Sequence, residues 1–113
     1  MSINKNEFFP VGALDQFLVQ IGRVVEIGGR QIAVFRLSDG RIFAAVNESP
    51  HPKGGPLAEG IVSGHYLYDP LYDWKIDLTT GLVQAPDNGQ AQMLTVKVED
   101  GQVWIAAGEL QAV

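Results

Sequence analysis

Cysteine is absent from this 113-residue chain. Its absence excludes disulfides, thiolate zinc sites, iron–sulfur clusters held by the chain's own thiolates, and cysteine nucleophiles. Basic residues are scarce: eight Lys and Arg stand against thirteen Asp and Glu, for a formal net charge of −5. No basic field exists to meet phosphates, which argues against a nucleic-acid binder, and an anionic membrane surface is an equally poor partner. No apolar run approaches a membrane span. The opening MSINKNEFFP has no apolar stretch of the kind a secretory signal carries. A soluble, cytoplasmic protein is expected. Helical periodicity is nearly missing too, with one helical turn expected at Ala13 to Leu18.

What is present is strand and turn. The length predicts a single domain over residues 1–113, with a core at about 8–107. Thirteen glycines and six prolines punctuate short apolar stretches. Leu18 to Ile27 and Arg30 to Leu37 flank Gly28-Gly29, a two-residue hairpin signal, since turns that match strand twist need positive φ. Asp39-Gly40 leads into Arg41 to Asn47 by the same logic. Gln92 to Glu99 alternates, with Leu94, Val96 and Val98 on one face, then turns at Asp100-Gly101 into Gln102 to Ala107. Ile61-Val62, Tyr66 to Tyr68, Trp74 to Leu78 and Leu82-Val83 read as four shorter strands, with a turn at Thr79-Thr80-Gly81. This spacing predicts an all-β sandwich or barrel. The ends, Met1 to Glu7 and Gly108 to Val113, are expected to fray.

Asn47 to Gly60 (NESPHPKGGPLAEG) breaks the pattern. It holds three prolines and three glycines, and loops this long in a small domain are usually functional or disordered. A second short loop, Asp69 to Trp74 (DPLYDW), follows one hairpin later, so the two are expected to meet at one end of the β domain. Ser49 and His51 share a spacing but have no acid or oxyanion partner for nucleophilic catalysis. Gly54-Gly55-Pro56 opens no helix, so it is not a phosphate loop.

The segments IAVFRLSDGRIFAAVNESPH, SPHPKGGPLAEGIVSG and PLYDWKIDLTTGLVQAPD resemble a Rieske iron–sulfur domain over nearly the whole chain, from about Phe9 to Ala107. The resemblance implies an antiparallel β-sandwich with two cluster-binding loops at one end. The family's pattern is Cys-x-His in the first loop and Cys-x-x-His in the second. Carried over, its four ligand positions fall on Ser49, His51, Asp69 and Tyr72. A cluster of this kind needs two thiolates on one iron and two imidazoles on the other, and hard oxygen ligands do not replace soft thiolates. The expectation is therefore no cofactor on this chain.

Within the superfamily, the text resembles the small subunit of assimilatory NAD(P)H-dependent nitrite reductases. That resemblance implies a large-subunit partner carrying siroheme, FAD and an iron–sulfur cluster, and reducing nitrite to ammonium in nitrate assimilation. The chain would bind and support it without catalysis of its own. Two rivals are a Rieske-type ferredoxin that serves an oxygenase, and a β interaction module with a mononuclear iron(II) or zinc site built from His51, Asp69 and Asp73, with His65 if it reaches.

Smaller expectations attach to single residues. His51 is read as a loop histidine bonded to a backbone carbonyl, and His65 as an exposed turn residue. Tyr72 is expected to pack toward the first loop and fill the space a cluster would leave. Asp69 is expected to accept N–H groups of its own turn, with Lys53 paired to Asp69 or Asp73. Trp74 and Trp104 are read as core or rim packing, and Phe8-Phe9-Pro10 as cover for a sheet edge or as a partner contact.

Overall fold

Four consecutive residues, Ile32, Ala33, Val34 and Phe35, are wholly buried. A strand with one face in water would alternate, so this run needs packing on both sides. The computed structural model describes residues 7–107 and provides both. Its strands are, in chain order, β1 (Phe8–Ala13), β2 (Arg23–Ile27), β3 (Arg30–Arg36), β4 (Ile42–Val46), β5 (Ile61–Ser63), β6 (Tyr66–Tyr68), β7 (Lys75–Asp77), β8 (Met93–Leu94), β9 (Val96–Glu99) and β10 (Gln102–Ala106). They form three antiparallel sheets, ordered β1-β10-β9, β2-β3-β4-β8 and β5-β6-β7. The fold is all-β, with a single 3-10 turn at Leu14–Gln16 among the described residues.

The central four-stranded sheet is the shared wall. One face, with Ile32, Val34, Ala44 and Val46, packs on Val103 and Ile105 of β10. The other, with Ala33, Phe35 and Ala45, packs on Leu57, Leu67, Ile76 and Leu78. The period of two sends alternate side chains to opposite cores. Leu57 lies at the end of the long loop and is fully buried. Burying one such leucine contributes about 1.5–3 kcal/mol, which pins that end of the loop to the core.

Several strands differ from the sequence reading. Leu18 to Gly22 is not strand: Gln20 has φ 65°, and Val19 makes only a parallel bridge to Arg36. The Gly28-Gly29 turn forms as expected, with φ 58° and 81°. The turn at Asp39-Gly40 is longer than two residues, because the Leu37 N–H donates to the Arg41 carbonyl at 2.8 Å. Gln92 to Glu99 is split at Thr95, so that β8 joins β4 and β9 joins β10. Leu82 and Val83 make isolated bridges to Gln90 and Ile76 rather than a strand. Phe8-Phe9-Pro10 is the start of β1, paired with β10 through Phe8↔Ala106, Phe9↔Ile105 and Pro10↔Trp104. The ends expected to fray lie, apart from Glu7, outside the described residues.

Candidate functional site

Both loops border the β5-β6-β7 sheet. The long loop runs from the end of β4 to β5, and the short one from β6 to β7. Because β5 and β6 are hairpin partners, with Ile61 opposite Tyr68, the loops emerge side by side. Each is closed on itself. In the first, the Ser49 N–H donates to the Gly55 carbonyl at 2.7 Å and the Gly54 N–H to the His51 carbonyl at 2.8 Å. The Ala58 N–H donates to Asn47 Oδ1 at 2.8 Å and fastens the far end. In the second, the Asp69 N–H donates to the Trp74 carbonyl at 2.9 Å and the Asp73 N–H to the Asp69 carbonyl at 3.0 Å.

The four positions carried over from the resemblance meet in two pairs. The Ser49 hydroxyl donates to Asp69 Oδ2 across the gap between the loops. Both residues are buried, at 5% and 3% exposure. Asp69 Oδ1 accepts the N–H groups of Leu71 at 2.7 Å and Tyr72 at 3.0 Å, so both its oxygens are engaged. Ser49 Oγ also accepts the His51 N–H at 3.1 Å. The second pair is aromatic. The His51 imidazole stacks on the Tyr72 ring with centroids 3.6 Å apart, and Trp74 closes the cluster at 4.7 Å from His51. Tyr72 thus reaches the first loop, and Trp74 is half-buried against the core beneath.

Three residue expectations need correction. His51 does not bond a carbonyl; its Nδ1 accepts the Lys53 N–H at 3.0 Å, which requires that nitrogen to be unprotonated and leaves the proton on Nε2. Lys53 pairs with neither Asp69 nor Asp73 among the described residues. His65 is half-buried and sits 3.9 Å from Asp77 Oδ1, away from the loops' pairs. The proposed mononuclear set of His51, Asp69 and Asp73 is not assembled, because no three His, Asp or Glu side chains converge as a metal would need among the described residues. Trp104 is half-buried in β10, and its indole nitrogen is buried without a partner among the described residues.

Asp77 carries a distinct electrostatic signature. Burial pushes its carboxyl up, and the Thr79 hydroxyl at 2.6 Å and the Thr79 N–H at 2.8 Å pull it down. With the nearby His65 and Arg41 charges, they hold the group below its ordinary 3.8.

The donor set does not fit a Rieske cluster. The two positions that would need thiolates carry a hydroxyl and a carboxylate bonded to one another, and the chain has no cysteine to substitute. The two positions that would need imidazoles carry one histidine, with its Nδ1 in use, and one phenol ring lying flat upon it. What the arrangement offers is a tip cross-linked by side chains. Pro52, Lys53, Pro70 and Leu71 are exposed there, and Leu71 is 62% exposed. Sequence reasoning missed Leu71, because an isolated leucine in a loop gives no signal of whether it points in or out.

Known proteins share both the sequence and the geometry. The chain is 32% identical over 103 residues to the anthranilate 1,2-dioxygenase ferredoxin subunit of Burkholderia cepacia, covering 90% of this chain and 94% of that one. It is also 32% identical over 105 residues to the nitrite reductase [NAD(P)H] large subunit of Klebsiella oxytoca, covering 88% of this chain but 11% of that protein. A crystal structure assigned as a nitrite reductase NADPH small subunit superposes with a TM-score of 0.77 at 25% identity, covering 88% of this chain and 97% of that one. The ferredoxin of carbazole 1,9a-dioxygenase from Nocardioides aromaticivorans shares the fold, with a TM-score of 0.80 at 21% identity and coverage of 89% and 98%. Residues 7–106 match the model of the Rieske-like [2Fe-2S] domain, and the chain belongs to that family.

Proposed function

We propose that this chain is the redox-silent small subunit of an NAD(P)H-dependent nitrite reductase. On this reading it is one Rieske-like unit over residues 1–113 that works in the cytoplasm. It binds and supports a large subunit carrying siroheme, FAD and an iron–sulfur cluster, and takes no part in catalysis. The observation that carries the reading is the pairing of Ser49 with Asp69 and of His51 with Tyr72, where an electron carrier would hold iron. Similarity to a nitrite reductase small subunit and to a segment of a nitrite reductase large subunit supports the choice of partner. The two-loop tip, with Leu71 and the flanking prolines exposed, is the docking end.

A ferredoxin role for an oxygenase is the second reading, favoured by the 32% identity to a dioxygenase ferredoxin subunit. That role requires a cluster, and the ligand positions argue against one. The two readings separate in one experiment. The tagged chain is purified from nitrate-grown cells, its own visible absorbance and iron are measured, and the retained partner is assayed for siroheme and flavin. A colourless chain holding a siroheme flavoprotein supports the first reading. A brown chain with iron and inorganic sulfide overturns it.

A further inference from the structure

No backbone hydrogen bond joins the 47–60 loop to the 69–74 loop among the described residues; every such bond in either loop closes within it or onto the sheet behind. Beyond the β5–β6 hairpin that sets them side by side, the loops are therefore tied together by side chains. The tie runs through Ser49–Asp69, His51–Tyr72 and the edge contact of His51 with Trp74. Leu71 also lies over Gly55, where an added Cβ would come within 2.8 Å of its Cδ1.

The partners are not random. A Rieske centre places two thiolates on one iron and two imidazoles on the other. Here the two thiolate positions contact each other, and so do the two imidazole positions. We propose that each iron's ligand pair has been replaced by a direct side-chain contact, and that the two contacts do the cluster's structural work without metal. The hydrogen bond forms the inner half of this cross-link. It is buried, and Asp69 extends it into its own loop through two N–H groups, while Ser49 extends it into the other through the His51 N–H. The stack forms the outer half, and His51 Nδ1 ties it to the Lys53 N–H. A network of this kind, buried at its Ser49–Asp69 centre, links groups that share no backbone bond. Disturbing it in one loop must loosen the other.

The inference rests on the reading above only in taking the chain to be metal-free. Its test is amide hydrogen exchange on the full chain, with and without a chelator, for the native sequence and for Asp69→Asn, Ser49→Ala, Tyr72→Ala and Tyr72→Phe. The expected result is crossed. Asp69→Asn speeds exchange at His51, in the other loop, by about tenfold or more, and Tyr72→Ala does the same at Lys53 and Gly54; tenfold corresponds to ~1.4 kcal/mol of local opening. Ser49→Ala speeds Leu71 and Tyr72 in turn. Tyr72→Phe, which keeps the stacked ring, leaves exchange unchanged, as does the chelator, and β3 and β4 stay protected in every variant. Exchange that rises only in the mutated loop overturns the proposal, as does a native chain whose loops loosen when chelator is added. Isolation of a partner other than a siroheme protein would overturn the functional reading while leaving these exchange results standing.

Discussion

The imidazole of His51 and the phenol ring of Tyr72 lie face to face, 3.6 Å between centroids and 6° from parallel, though they belong to different loops. A stack of this kind contributes roughly 0.5–1.5 kcal/mol beyond the area it buries. Tyr72→Ala is therefore expected to lower stability by about 1–3 kcal/mol once lost burial is included, and Tyr72→Phe by less than about 0.5 kcal/mol. Urea unfolding of the three proteins checks this; equal losses for both substitutions would show that the hydroxyl, not the ring, matters.

Asp69 is the more costly residue to lose. Asp69→Ala strands the Ser49 hydroxyl and the N–H groups of Leu71 and Tyr72. Leaving one buried and two half-buried donors without acceptors is expected to cost about 2–4 kcal/mol in total. Asp69→Asn keeps one acceptor oxygen and should cost about half as much. Thermal unfolding of both variants would expose a solvated Asp69 if the two fell equally and slightly.

Gly22 holds the first loop's far end against the central sheet. A Cβ there would sit 2.3 Å from the Ala58 carbonyl oxygen and 2.8 Å from Phe35 Cε1. Neither neighbour can yield easily, one being backbone and the other a fully buried ring. Gly22→Ala is expected to cost about 2–3 kcal/mol through overpacking, read as a drop in the denaturation midpoint. An unchanged midpoint would mean that the 18–22 segment moves freely.

Asp77 sets a pH dependence. Its carboxyl is held below 3.8 in the folded chain, so the unfolded state binds the proton more readily. Its stabilisation is complete above about pH 5 and is lost as the pH falls through its folded value. The Tm difference between the native chain and Asp77→Asn should therefore be largest near neutral pH and shrink toward pH 3, a range set by about one unit either side of the ordinary carboxylate value. A constant difference across that range would remove Asp77 from the account.

The paired positions also predict what would restore iron binding. Ser49→Cys, Asp69→Cys and Tyr72→His together, with His51 retained, supply two thiolates and two imidazoles. The triple variant is expected to take up iron and sulfide on anaerobic reconstitution and to absorb visible light, while the native chain treated alike does not. The single Ser49→Cys variant should gain nothing. Iron and sulfide analysis of desalted protein decides the matter.

Much of the site was legible because its chemistry is a matter of residue type. The loops announce themselves by proline and glycine, and the departure from the ligand pattern is a matter of identity at Ser49, His51, Asp69 and Tyr72. What those four residues do to one another was not legible. His51 was expected to bond a carbonyl and instead accepts an N–H, since the choice depends on the turn from His51 to Gly54. β1 was missed as a strand because Pro10 and Gly12 interrupt its sequence; it forms because β10 supplies the partner edge, with a register shift between them.

Composition and local pattern by themselves determined that this chain is all-β, acidic and without thiolate chemistry, because turn signals, charge and the lack of cysteine are local properties. Tertiary structure alone decided which side chains cross between the loops, that Gln92 to Glu99 serves two sheets, and that β3 is buried on both faces. Those outcomes depend on partners distant in sequence, and a strand's own residues do not specify what packs against them.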